Sequence, residues 1–432
     1  MSDTNRRDAE TSGMGRPEIT IDRLNKGLGA MNDELTSSEI VGRRWNLLRE
    51  DLSLPTAVLY EDKLQHNMEW MQRFIATYGV KLAPHGKTTM APKLFARQMQ
   101  TGAWGMTLAT AHQTGVAYAH GIRRILMANQ LVGKANMQLA ADLLRDADFE
   151  FYCLVDSVQN VKLLGEFFQA RQQRLNVLIE LGVPGGRTGV RDASQLQESL
   201  VELDQWREQI AVCGVEIYEG VLEDESSIRE FLHRAVDVTR TMARDHRFDR
   251  NPILLSGAGS AWYDVVADVF SEANVGIPIE VILRPGCYLT HDIGVYEKAQ
   301  QQILFRNPVA RQMHSGLVPA LQLWAYVQSV PENHKAILAL GKRDAAFDAG
   351  LPKPALHFRP GENTPQPCPS TWKLVRMMDQ HAYMEIAAQD DIRVGDMIGL
   401  DISHPCLTFD KWRYLPVLDS GYRVIDIVET FF

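Results

Sequence analysis

The segment Val80 to Met90 reads VKLAPHGKTTM and sets a lysine where a strand ends. A short apolar run (Val80, Leu82, Ala83) stops at Pro84. His85, Gly86 and Lys87 follow, and a helical pattern runs from about Ala91 to Gln100. A strand, a tight turn and a helix in that order hold a lysine by the sheet while its amine points into a mouth lined by loops. A neutral lysine amine is a nucleophile, and its usual covalent partner is a carbonyl, of a substrate or of pyridoxal phosphate. Against this, most of the 45 Lys and Arg side chains are expected to keep their charged heads in water. Lys87 gains weight from its companions.

Two further stretches carry chemistry. Residues 256–262 read SGAGSAW before a helical pattern. Small residues, free backbone N–H groups and a helix N-terminus together bind a phosphate, although a small-residue loop also serves as a plain tight turn. Near the C-terminus, Ser403-His404-Pro405-Cys406 places an imidazole and a thiol two residues apart. In an extended segment both side chains project from one face, and the pair suits zinc. Structural zinc sites use four ligands and catalytic ones normally three, so this pair is incomplete by itself. His85, His112, His291 and His381 are further candidates, and the plain alternative is a loop histidine beside a buried cysteine.

The elements that must position these residues are legible as short apolar runs. Strand candidates fall at 80–83, 105–109, 125–128, 149–155, 176–181, 212–218, 252–256 and 280–283. Helical patterns lie between several of them, at 158–170, 193–206, 227–245 and 260–273, and a helix at 62–78 precedes them all. Eight strands joined largely by helices predict an α/β fold, a parallel (β/α)8 barrel. A doubly wound open sheet is the rival, weakened because no GxGxxG follows an early strand. In a barrel the active site lies at the C-terminal ends of the strands. Lys87 would follow the first strand and Arg187 the fifth. Tyr218 would close the sixth, Gly257, Gly259 and Ser260 would follow the seventh, and Arg284 to Tyr288 the eighth, all converging on one mouth. Barrels often hold phosphate at the last two of these loops.

After about Gly294 the long helical periods fade. Short β-rich runs appear at 321–327, 336–340, 373–378, 382–386, 397–400, 414–418 and 422–430, and a Pro-rich loop covers 358–370. The expected organisation is an N-terminal extension at 1–50, partly disordered, with a short helix near Ile40 to Leu48. A barrel at 51–296 and a smaller β domain at 297–432, with a strand from 55–60, complete it. The chain has 432 residues, 45% hydrophobic and 23% charged, with a formal net charge of -9. That balance argues against nucleic acid or an anionic membrane as the main partner. No apolar run approaches the ~20 residues needed to span a bilayer, and the first twenty residues lack a secretory core, so the cytoplasm is the default. Five scattered cysteines (Cys153, Cys213, Cys287, Cys368, Cys406) form no CxxC pair, and Cys153 and Cys213 read as buried free thiols.

With these residues in hand, the chain resembles the D-serine dehydratase and D-threonine aldolase family, pyridoxal-phosphate enzymes of the alanine racemase-like fold. The resemblance runs from about Pro55 to the C-terminus and is nearest to bacterial amino acid deaminases, also called D-serine deaminase-like proteins. It rests on PHGKTT (84–89), ELGVPGGRTGV (180–190), YEG (218–220), SGAGS (256–260), RPGCYLTHD (284–292), FDAGLP (347–352), DQHAYME (379–385) and SHPC (403–406). It implies that Lys87 carries pyridoxal 5'-phosphate covalently, with His85 beside it. Arg187 would lie near the ring oxygen and Tyr218 near the pyridine nitrogen. Gly257, Gly259, Ser260 and Tyr288 would hold the phosphate, and His404 and Cys406 a divalent metal, zinc first. It also implies a homodimer in which the β domain of one subunit covers the barrel mouth of the other. Gly86, Thr89 and the Gly-rich loop before Arg187 depart from many relatives, and these positions are expected to line the substrate pocket.

The expected reaction is loss of the 3-hydroxyl from a D-3-hydroxy amino acid such as D-serine or D-threonine, giving a 2-keto acid and ammonia. Lys87 would remove the α-proton, and a metal on His404 and Cys406 would help the hydroxyl leave. Retro-aldol cleavage to glycine and an aldehyde is the first rival. In the aldolases the second metal ligand tends to be an aspartate, so Cys406 leans toward dehydration. A pyridoxal-phosphate-binding protein without turnover is the second rival, opposed by the SHPC element. Racemisation, which needs no metal, is the third.

Overall fold

The structure, a computed structural model, describes residues 18–432. Its centre is a ring of eight parallel strands: Lys81–Leu82, Met106–Leu108, Arg124–Gln130, Glu150–Val155, Leu175–Leu181, Ile210–Ile217, Ile253–Gly257 and Ile279–Leu283. From the second on, each pairs with the next, and the eighth pairs with the first through Ile282 to Lys81 and Leu283 to Leu82. Closure between first and second is carried by the bridge of His85 to Thr107, with Trp104 N–H on Leu82 O at 2.7 Å and Thr107 N–H on Pro84 O at 2.9 Å. All eight strands lie where the apolar runs placed them. Strands of a parallel barrel are covered on both faces and therefore read as continuous apolar segments. Ala83, Leu126, Leu154, Leu178, Leu254 and Ile282 point inward and fill the ring as a separate core, so the barrel is packed and only its mouth is open.

Helices Pro92–Gln100, Val158–Gln169, Ala193–Gln205, Glu225–Arg244 and Tyr263–Ser271 cover the ring, close to their expected positions. Beyond Gly294 the expectation of fading helices is overturned. Val295–Arg306 and Pro308–Gln312 are helical, and the first is tied to the barrel by Tyr263 Oη donating to Gln300 (2.8 Å) and by Arg306 to Asp264 (2.6 Å). Its apolar period is weak because only Ala299, Gln300 and Ile303 are buried, while its Gln, Lys and Ala residues supply helix propensity.

The antiparallel sheet begins at Leu321–Glu332, which pairs with Met397–Asp401 on one side and Thr56–Tyr60 on the other. The early strand 56–60 thus belongs to this sheet. Strand Lys353–Phe358 was not expected: Pro354 breaks the alternation, and the pairing accommodates it with a bulge between Pro354 and Leu356.

The disorder expected in the N-terminal extension concerns in part residues 1–17, which lie outside the described residues. Residues 18–50 are instead folded onto the β domain. Ile21, Leu28, Ile40, Trp45 and Leu47 are buried against Val58, Trp324, Tyr414 and Leu418. Helix Ser37–Gly42 opens with a capping box of Thr36 and Glu39. A few widely spaced anchors in a polar stretch leave no periodicity to read. Among the described residues no helix is long and apolar enough to cross a membrane.

Candidate active site

Pro84 ends the first strand because it has no N–H to extend the ladder. The chain then folds into a 3-10 turn, Gly86–Thr88, which carries Lys87. Gly86 lies over Phe95 and Leu108, and a Cβ there would come within 2.9 Å of both rings or methyls. The glycine lets the turn sit tight on the barrel core, and it fixes the base of the lysine. Gly86 and Thr89 are therefore buried beneath the turn and do not line the mouth, contrary to the expectation that they shape the substrate pocket. Of the fifth loop, Arg187 lines it and the neighbouring glycines do not.

The mouth is a cavity of about 250 Å³ between the strand ends and the loop bearing His404. His85, Lys87, Arg187, Tyr218, Gly259, Ser260, His404 and Cys406 all line it. Gly257 and Tyr288 do not: Gly257 is packed under Ile217 and Val266, and Tyr288 is buried with its hydroxyl accepting from Gln98 Nε2 at 2.9 Å. A larger groove of about 900 Å³ runs outside the barrel between helices Ala193–Gln205 and Glu225–Arg244, but neither lysine nor cysteine faces it.

Electrostatics distinguish the groups in the cavity. Among the described residues Lys87 has no hydrogen-bond or ion-pair partner. The crowding of protein atoms around it pushes its amine below the usual lysine range, helped by the positive charges of Arg187 and Arg284 and opposed by Cys406. Burial holds His85 neutral, well below the ordinary histidine value, with Lys87 and Arg284 adding to the effect. Its buried Nδ1 has no partner. Beneath them, Arg284 pairs with Glu216 and donates to Ile217 O at 2.9 Å. Burial drives the Glu216 carboxyl up to about 8 against the pull of Arg284. Arg187 lies with its guanidinium carbon 4.4 Å from the centre of the Tyr218 ring.

The small-residue loop is wired differently from the sequence expectation. Ala258 N–H and Gly259 N–H donate to the buried Glu219 carboxylate at 3.1 and 2.6 Å, so those amides are already taken. Instead, Gly286 N–H and Cys287 N–H converge on Ser260 Oγ at 3.2 and 3.1 Å. Gly286 is tight against Thr88 Oγ1 and His85 O, where a Cβ would come within 2.5 and 2.6 Å. A free lysine, a neutral imidazole with an orphaned nitrogen, and a serine hydroxyl left to donate its proton because two amides satisfy its oxygen fit a phosphorylated aldehyde.

The second wall comes from the β domain. His404 Nδ1 and Asp348 Oδ2 are 2.7 Å apart. Cys406 Sγ lies 3.7 Å from Cys287 Sγ and 3.6 Å from Thr88 Oγ1. Hydrogen bonding from Cys287, and then His404, pulls the Cys406 thiol down to about 4, while Cys406 and Asp348 raise His404 to about 9. The donor types suit zinc. Among the described residues, however, no three His, Cys, Asp or Glu side chains already stand grouped to hold a metal ion.

Sequence reasoning assigned no role to Asp348, Glu219, Glu216 or Cys287. Glu219 sits inside YEG, Asp348 inside FDAGLP and Cys287 inside RPGCY, so each was in view without its contact. The contacts that join Asp348 to His404 and Cys287 to Cys406 are not local: they cross 56 and 119 residues of chain.

Comparison with known proteins bears on the family and the fold. The chain is 24% identical over 384 residues to the D-threonine aldolase of Arthrobacter sp, covering 87% of this chain and 91% of the relative. It is 33% identical over 140 residues to the D-threo-3-hydroxyaspartate dehydratase of Delftia sp. (strain HT23), covering 32% of this chain and 36% of the relative. The crystal structure of D-threonine aldolase from Filomicrobium marinum superposes with a TM-score of 0.73 at 21% identity, over 88% of this chain and 95% of that one. The family model described as "Putative serine dehydratase domain" matches residues 320–418, and the one described as "Alanine racemase, N-terminal domain" matches residues 60–279, from the helix before the ring to the first residue of its eighth strand. The chain belongs to the alanine racemase N-terminal domain family.

Proposed function

We propose that this protein is a pyridoxal-phosphate- and metal-dependent lyase that dehydrates D-3-hydroxy amino acids, D-serine or D-threonine, to a 2-keto acid and ammonia. The observation that carries the proposal is one small cavity that holds an unpaired, low-pKa lysine on one wall and an imidazole–thiol pair on the other. The D-threo-3-hydroxyaspartate dehydratase of Delftia sp. HT23 adds support. Structures exist of its histidine-to-alanine variant and of a variant at the next-but-one cysteine, and the latter is described as the metal-free form. His404 and Cys406 have that spacing.

The cofactor, when bound, supplies a sink for the electrons left at the substrate's α-carbon. A divalent metal supplies Lewis acidity toward the 3-hydroxyl, which otherwise leaves poorly. The chain does the rest. Ser260, whose Oγ already accepts from Gly286 and Cys287 N–H, would turn its hydroxyl proton to the phosphate. Burial lowers the pKa of Lys87 toward that of a working base, and its amine would accept the α-proton. His85, held neutral by burial, adds no second positive charge beside it. His404 and Cys406 bind the metal, and Asp348 accepts from His404 Nδ1–H, which turns Nε2 toward the cavity.

Product analysis on purified, zinc-supplemented protein tests the proposal, with D-serine, D-threonine, D-threo-3-hydroxyaspartate and their L-isomers supplied separately. Keto acid and ammonia from the D-isomers alone are expected. The similarity to the Arthrobacter aldolase across most of both chains favours a second reading, retro-aldol cleavage. Glycine and acetaldehyde from D-threonine would establish it and remove the dehydratase assignment. No product from any of these substrates would overturn both.

A further inference from the structure

We infer that Cys287 is a third protein ligand of the divalent metal, completing a Cys2His set with Cys406 and His404 and leaving one position open for substrate. The inference rests on the metal-dependent reading above and goes beyond it in naming a ligand. Two sulfurs each about 2.3 Å from a tetrahedral zinc stand about 3.8 Å apart. The Cys287 and Cys406 sulfurs stand 3.7 Å apart. They are free thiols, so the spacing is not that of a disulfide. Around them stand His404, hydrogen-bonded to Cys406, Tyr296, hydrogen-bonded to Cys287, and Thr88 Oγ1 at 3.9 and 3.6 Å, a weak contact.

Ligand number points the same way. His404 and Cys406 alone fall short of the three protein ligands of a catalytic zinc site, and two thiolates with one imidazole form a known catalytic combination. Thiolate pairs also select zinc over magnesium, calcium or manganese. Of the donors, the thiol pair is already spaced for the ion. His404, half-buried on a loop and hydrogen-bonded to Cys406, supplies the third donor. Binding releases to solvent the protons the ligands still carry, since zinc takes thiolates and a neutral imidazole. Cys287 belongs to the loop after the eighth barrel strand and Cys406 to the β domain, so the ion also fastens the two walls together. The rival for the third seat is Asp292, whose buried Oδ2 has no partner, but its Oδ1 is fixed by Gly294 and Tyr296 N–H at 2.8 and 3.1 Å.

X-ray absorption at the zinc edge of the zinc-loaded full-length protein counts sulfur ligands without any variant. Cobalt titration of the metal-depleted protein reads the same quantity through the thiolate-to-cobalt charge-transfer band. Two sulfurs per zinc are expected. In Cys287→Ser the band falls to about half, and metal affinity drops by more than the roughly 10–100-fold typical of losing an outer-shell partner. Cys368→Ser leaves both unchanged. One sulfur in the wild type, or an unaltered band in a folded Cys287→Ser protein, would overturn the role of Cys287 while leaving the proposed reaction standing. Failure to bind zinc or cobalt at all would overturn both together.

Discussion

The two walls of the cavity are built in different ways. The barrel wall stands on strand ends. Lys87, Tyr218 and Arg284 each follow a strand of the parallel ring, and Arg284 and Glu216 are buried against each other. The β-domain wall stands on loops. His404 and Asp348 keep 23% and 41% of their side chains exposed and hold each other by one hydrogen bond. A group placed by a sheet is positioned before any ligand arrives, and a group placed by a loop is positioned by its partners. The barrel wall is therefore suited to bond-making at a fixed atom. The β-domain wall is suited to a metal that helps organise its own ligands.

The largest effect is expected where position is most fixed and chemistry most direct. Lys87→Ala should cost turnover about 10³-fold or more with no measurable change in stability, because the side chain has no partner to lose. Steady-state product formation and thermal unfolding on the same preparation check the pair. Residual activity within tenfold of wild type would move the proton transfer off the barrel wall and break the comparison.

Arg284→Met attacks the support of that wall. With the Glu216 carboxyl protonated at neutral pH, the change removes a hydrogen bond to a charged donor and costs about 1.5–3 kcal/mol, which urea denaturation would read directly. The pH dependence supplies a second arm. Burial raises the Glu216 carboxyl from its ordinary 4.5 to about 8. Between those values the folded chain keeps a proton that the unfolded chain has released. The stability it contributes is complete below about 4.5 and is lost as pH rises toward 8. Glu216→Gln should flatten that slope, and an unchanged slope would assign it to another group.

The barrel and its mouth were legible because buried parallel strands leave apolar runs and because loops at their C-terminal ends must meet. That reasoning brought Lys87, Arg187, Tyr218 and Ser260 into one cavity and correctly carried strand 56–60 as a strand. Glu219 was not legible. Its carboxylate takes the amides of the small-residue loop, and a composition of Gly, Ala and Ser cannot show which acceptor those amides have already found. The Asp348–His404 contact was illegible for a different reason: two loops joined across the β domain share no periodicity. Helix Val295–Arg306 was missed because its buried face is short.

Asp348→Asn probes the looser wall. The charged acceptor of His404 becomes a neutral amide that holds the ring less well. Zinc affinity should fall about 10–100-fold, excess zinc should restore turnover, and the unfolding midpoint of the metal-free protein should stay put. Activity lost at saturating zinc would show that Asp348 does more than orient the imidazole.

The smallest effect tests which feature sets the contrast, the domain or the kind of backbone. Arg187 belongs to the barrel by sequence yet sits on a loop, with its guanidinium over the Tyr218 ring and its side chain open to the cavity. If backbone type governs, Arg187 behaves like the β-domain wall: weakly held, and worth about 0.5–1 kcal/mol through its cation–π contact. Arg187→Met, Tyr218→Leu and the double variant form a cycle whose coupling should fall in that range. The same cycle in kinetics should raise KM for the amino acid more than it lowers kcat, because a loop cation steers an anionic substrate without touching the proton that moves. A coupling of several kcal/mol, with kcat falling alongside, would instead place Arg187 among the rigid groups. The dividing line would then run between the two domains rather than between strand ends and loops.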